Sequence, residues 1–173
     1  DRLAGESLDF QNAISGMPVC CPARATLMTG LYAHHHGVLV NDVHLDDGLP
    51  KLAEQFVDAG YDTAYIGKWH LNGRGRKAYI TPENRCGFQY WKALECTHDY
   101  NESAYYAGDD DTQLTWDGYD AFAQTDDAIN YLNSRSKKDR PFMMMLSWGP
   151  PHDPYETAPQ EFRDKVETAA LKL

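Results

Sequence analysis

The sequence predicts an α/β fold, a mostly parallel sheet with helices on both faces. Two observations predict it. Segments with apolar residues at helical spacing alternate with short β-rich or continuously apolar runs, the pattern of strands covered by helices. With 42% hydrophobic and 12% aromatic residues, the 173-residue chain also carries enough apolar surface for the core of one domain.

Taken in order, a short helix ends near Glu6, and Phe10 to Ile14 reads as extended. A second helix begins just after the Cys20-Cys21-Pro22 turn, because proline suits a first helical turn. Leu49, Leu52, Ala53, Phe56 and Val57 have helical spacing, and Gly60 closes that helix. Thr63 to Ile66 is β-rich. Trp69 to Pro82 is basic and Gly-containing, a surface loop able to touch an anion through Arg74, Arg76 or Lys77. Gly87 to Leu94 is a candidate strand. The Tyr- and Asp-rich stretch at about 95–118 shows no period and reads as an irregular excursion, with Tyr100, Tyr105, Tyr106 and Trp116 either forming a sugar-facing wall or packing on the fold. Tyr119 to Ser134 is a helix with Phe122, Ile129 and Leu132 on one stripe. Phe142 to Trp148 is a continuous apolar run, as expected of a central strand buried on both faces, and Gly149-Pro150-Pro151 ends it.

The 16 basic residues against 26 acidic ones give a net charge of −10. This argues against nucleic-acid partners, whose binding is driven by cationic neutralisation of phosphates. Ten of the acids lie between Ala93 and Ser134, a segment with no Lys or Arg. No apolar run approaches the roughly 20 residues of a membrane helix, so no membrane partner is expected, and no signal peptide is in view. Four cysteines do not make a disulfide scaffold, and localisation stays open. The first helix has no start signal before it and Ala169 to Leu173 stops within another helical pattern, so the sequence reads as an internal fragment of a longer chain.

Three constellations could carry chemistry. Cys20 stands at the mouth of a helix, where free N–H groups and the dipole favour an anion, and Arg24 lies one turn on along the same face. Lys68 and His70 are two residues apart at the end of a strand, where alternation projects them to one side of the sheet edge. His152 sits in a proline-stiffened segment after the last strand, a rigid mount for a general acid. Each has a plain alternative: a buried thiol beside a solvated arginine, two surface residues, and a loop cap. His34-His35-His36 reads as a turn before Gly37, since consecutive side chains diverge too far to share a metal. Asp109-Asp110-Asp111 lacks the alternating pattern of a calcium loop and reads as solvated, and Asn101-Glu102-Ser103 is a formal glycosylation triplet.

Together these segments resemble the type I sulfatases of the alkaline phosphatase-like superfamily. Cys20-x-Pro22-x-Arg24 with its Leu27-Met28-Thr29-Gly30 tail resembles the first signature of that family, Gly60 through His70 the second, and the His152 segment a third active-site strand end. The resemblance implies that residues 1–173 are part of a sulfatase N-terminal catalytic domain. It implies hydrolysis of a sulfate ester through Cα-formylglycine made from Cys20 by a maturation enzyme. The aldehyde hydrate would form a covalent sulfated enzyme, opened once its second hydroxyl is deprotonated, with His70 the base the resemblance implies. Cys20 rather than Cys21 is implied, because four residues after Cys21 comes Ala25. Arg24 and Lys68 would hold the sulfate, His152 would serve the leaving oxygen, and Asn41 is a further substrate-binding candidate or else a turn residue.

The family also implies Ca2+. Its usual aspartate, Asp-Asn and lysine partners are absent here, leaving only the formylglycine oxygen of Cys20 as a metal contact, so the isolated fragment is expected to be inactive. Two other readings stay open: a phosphonate monoester or phosphodiester hydrolase of the same superfamily, which Lys68-x-His70 disfavours, and an inactive sulfated-glycan-binding homologue using Arg24, Lys68, Arg74 and Arg76.

Overall fold

The computed structural model describes residues 2–137 and 139–165. In chain order the helices are α1 (Arg2–Gly5), α2 (Cys20–Thr29), α3 (Ala33–His36), α4 (Leu52–Asp58), α5 (Asp120–Ser134) and α6 (Gln160–Arg163). The strands are β1 (Asp62–Lys68), β2 (Tyr90–Leu94), β3 (Ala104–Ala107), β4 (Leu114–Thr115) and β5 (Phe142–Ser147). They form one sheet in the order β4-β3-β2-β1-β5. β1 runs parallel to both β2 and β5, while β3 and β4 extend the sheet antiparallel.

Alternation along the strands feeds two cores. Tyr65, Trp91, Ala93, Met143 and Met145 pack on one face with Cys21, Ala25 and Met28 of α2 and Ala53 of α4. Ile66, Tyr90, Met144 and Leu146 pack on the other with Ala128 of α5. Helices therefore cover both faces, as the sequence predicts. No helix among the described residues is long and apolar enough to cross a membrane.

Several expectations are corrected. The run expected to be central, β5, is the terminal strand of the described sheet: its side chains reach both cores but it pairs only with β1, so Phe142 is exposed and the rest stay half-buried. The central place belongs to β1, buried from Thr63 to Lys68. The stretch expected to be irregular contains β3 and β4, strands too short to show a period, paired antiparallel, with Tyr105 stacked at 3.9 Å on Trp116 just past β4. Tyr100, Tyr106 and Trp116 are buried and pack on the fold. On α5 the stripe of Phe122, Ile129 and Leu132 faces outward. Its inner side is Asp120, Gln124, Asp127 and Ala128, which a polar strand surface makes possible: Asp127 accepts from the Tyr90 hydroxyl and the Lys92 ammonium. Helix α2 starts at Cys20 itself, not after Pro22, and a turn at residues 11–12 interrupts the stretch expected to be extended over Phe10 to Ile14. In the basic loop Trp69, His70, Leu71 and Asn72 are buried, and exposure begins at Gly73. His34, His35 and His36 fall in the one-turn α3, capped by Gly37. The helical pattern at Ala169 to Leu173 lies outside the described residues.

Candidate active site

The C-terminal ends of β1 and β5 meet the N-terminus of α2 around a cavity of about 390 Å³, lined by Cys20, Arg24, Lys68, Ser147 and His152 among others. Open parallel sheets place ligands at this edge, because the crossovers leave a crevice there. Cys20 opens α2 and is half-buried. The residue before it, Val19, offers no side-chain cap. Asn41 does this work from elsewhere in the chain, its Oδ1 accepting the Cys21 N–H at 2.9 Å. The site thus gains its helix cap from Asn41, which the structure places on the backbone of the helix.

Arg24 ties the two strand ends together. Its Nη1 donates to the Lys68 carbonyl at 2.6 Å, the Ser147 hydroxyl at 2.9 Å and the Tyr65 hydroxyl at 3.2 Å. Among the described residues neither Nη2 nor Nε of Arg24 makes a hydrogen bond, so these donors remain for a ligand. The Lys68 ammonium lies 3.9 Å from the Cys20 sulfur, and the residue is buried. A cation held beside position 20 in a partly desolvated cleft favours an anionic group there.

His70 does not share the side of Lys68 by strand alternation, because β1 ends at Lys68 and His70 has a left-handed backbone, φ 59°. Its ring is buried and its Nε2 bonds Asp42 Oδ1 at 2.9 Å. Burial pulls its pKa down from the ordinary value; the Asp42 bond opposes that shift, and Lys68 and Arg24 add to it. Asp42, which sequence reasoning passed over beside Asn41, is held at about 2, mainly by Arg76, whose Nε and Nη2 bond its two oxygens at 3.2 and 3.1 Å, and then by His70. Glu95, also missed, lies buried and accepts the N–H groups of Leu71, Asn72 and Gly73 at 2.9, 2.6 and 2.9 Å, fixing the turn after His70. Burial nevertheless pushes its pKa up. His152 reaches the cavity with its Nδ1 2.8 Å from the Asp153 carbonyl, and its ring stacks on His98 at 4.5 Å. Ser147 and Tyr65 had no sequence signal beyond lying in strands, since their role depends on what crosses over them.

Among the described residues no group of three or more His, Cys, Asp or Glu side chains could hold a metal ion. The residues present therefore do not fit calcium, which needs six to eight oxygens.

The protein-family model described as Sulfatase matches residues 1–171. The chain is 46% identical over its full 173 residues to an ulvan-active sulfatase of Formosa agariphila, covering 34% of that protein. It is 34% identical over 166 residues to an N-acetylglucosamine-6-O-sulfatase of Bacteroides thetaiotaomicron, covering 92% of this chain and 27% of that one. The solved structure of the Bacteroides fragilis protein yidJ superposes with a TM-score of 0.86 at 30% identity, over 94% of this chain and 40% of that one. The chain thus spans about a third of the length of the curated relatives it matches.

Proposed function

The chain belongs to the sulfatase family, and on that premise we propose that it supplies the nucleophile side of an active site hydrolysing sulfate esters of a carbohydrate. The observation that carries this is the convergence of Cys20, Arg24, Lys68 and His152 on one cavity at the mouth of α2. Relatives named for ulvan and for N-acetylglucosamine-6-sulfate support a sulfated sugar as the substrate class.

Position 20 fits a Cα-formylglycine: it is half-buried, at a helix N-terminus, with Lys68 beside it. That group, installed by a formylglycine-generating enzyme, would supply a hydrated aldehyde whose oxygen is the nucleophile. The chain's own residues do the rest. Arg24 and Lys68 bind and orient the sulfate oxygens and stabilise charge developing on them. His70, neutral near pH 7 because burial lowers its pKa, accepts a proton. His152 serves the departing alcohol oxygen from its proline-flanked mount.

The binding-module reading is weakened by Arg76, whose Nε and Nη2 are engaged by Asp42. The test is sulfate release by the full-length protein, matured in its native host, from sulfated oligosaccharides, with an aryl phosphonate in parallel. Release from a sulfated sugar, lost in Cys20→Ala, is expected; a Cys20→Ala protein as active as the wild type overturns the reading.

A further inference from the structure

Two non-glycine residues with left-handed backbones, Asp42 at φ 61° and His70 at φ 59°, are bonded to each other. Non-glycine residues adopt this conformation at a cost, and where it persists the surroundings enforce it, often at functional sites. The surroundings here are specific. The Asp42 N–H donates to the Cys21 sulfur at 3.2 Å, while Asn41 caps the Cys21 N–H, so one two-residue turn is latched to the residue next to Cys20. Arg76 grips both carboxylate oxygens from the far side. The turn joins the nucleophile's helix to the imidazole.

The pairing also fixes which ring nitrogen bears the proton. Asp42 is ionised, since Arg76 and His70 hold it at about 2, and a carboxylate only accepts. His70 Nε2 must therefore donate. A neutral ring has one proton, so Nδ1 carries the lone pair, and Nδ1 is buried with no hydrogen-bond partner among the described residues. The same carboxylate–imidazole logic orients the base of hydrolytic triads.

We propose that Asp42, clamped by Arg76, is a positioning residue that holds His70 in the Nε2–H tautomer and leaves Nδ1 as the proton-accepting atom. This rests on the proposed role of His70 at position 20. The step is proton transfer alone: Nδ1 takes the proton of a hydroxyl presented there, Nε2–H stays on Asp42, and release to solvent restores the neutral ring. The charges facing His70 are Asp42, which favours its protonated form, and Lys68 and Arg24, which oppose it. Glu95 lies beyond the turn, fixing the backbone that follows.

The test uses the matured full-length protein with 15N-labelled histidine. In the wild type the His70 ring is expected to show a proton on Nε2 and none on Nδ1 at neutral pH; in Asp42→Ala that preference is lost. In Asp42→Asn, which tolerates the left-handed backbone and keeps an acceptor, the tautomer is retained. There kcat falls about tenfold with KM little changed, and the acid limb of kcat moves to lower pH because a charge favouring protonation is gone. A proton on Nδ1 in the wild type, or wild-type kcat and acid limb in both variants, overturns the proposal. His70→Ala is run alongside. A wild-type rate there removes His70 from the proposed function, and the labelled-ring spectra still decide the role of Asp42.

Discussion

The Arg24 guanidinium donates to the Ser147 hydroxyl at 2.9 Å across 123 residues of chain, joining the first turns of α2 to the last residue of β5. The same Nη1 also bonds the Lys68 carbonyl and the Tyr65 hydroxyl, so one planar cation sets the spacing of the helix mouth and two strand ends. An ammonium has one nitrogen where the guanidinium has three, so it cannot hold these partners and also present Nε and Nη2 to a ligand.

In Arg24→Lys, kcat/KM for a sulfated substrate is therefore expected to fall by about a hundredfold or more, because charge remains but its geometry does not. Ser147→Ala removes one contact only and is expected to cost about 1 kcal/mol of stability with activity within a few-fold. Steady-state kinetics and thermal melts of the two proteins check this; equal effects would contradict it.

Cys20 and Cys21 are expected to separate cleanly. From protein made in the native host, the tryptic peptide Leu3 to Arg24 should show one sulfur exchanged for an aldehyde oxygen, at Cys20 by fragmentation. Cys21→Ala, which removes a buried sulfur from the core, should keep the modification and lower stability by about 1 to 2 kcal/mol. Modification at Cys21 would be the contrary finding.

Gly67 cannot accept a side chain. Its φ is +108°, and a Cβ there would lie 2.2 Å from the Ser147 carbonyl oxygen on the paired strand. Gly67→Ala is expected to cost about 3 kcal/mol or more, and to lower activity by spreading β1 from β5. Melting temperature and soluble yield of the full-length variant are the readouts.

Asp120 gives a pH dependence of defined sign. Burial raises its pKa to about 6, above the 3.8 of a free carboxyl. The folded state therefore binds the proton more tightly than the unfolded chain does. The associated stability is fully present below about pH 4 and is lost as pH rises through about 6. Asp120→Asn carries no charge to bury, so its melting temperature should gain on the wild type as pH rises from 4 to 7. A difference that stays flat over that range would show that Asp120 is not the group responsible.

Some of this was legible in the chain itself. The helical spacing around Phe56 and the apolar run at Phe142 located α4 and β5 because burial on a face imposes a period or a continuous stretch. The Cys20-x-Pro22-x-Arg24 segment and the strand ending at Lys68 pointed to one sheet edge for similar reasons, since both belong to local elements. The outward stripe of α5 was not legible, because the polar partners of its inner face, Tyr90 and Lys92, lie more than thirty residues away. Nor was the strand-end direction of His70, where a left-handed residue breaks the alternation on which the reading depended.

The sequence alone thus determined the residue types at the site and the elements that carry them, because propensity, capping and hydrophobic period act over a few neighbours. Only the tertiary structure decided how they are used. Asn41 capping the helix through Cys21, twenty residues earlier, Asp42 selecting one nitrogen of His70, and Arg24 bridging to Ser147 are hydrogen bonds between distant segments. Such bonds are directional and short-ranged, and no period in the chain encodes them.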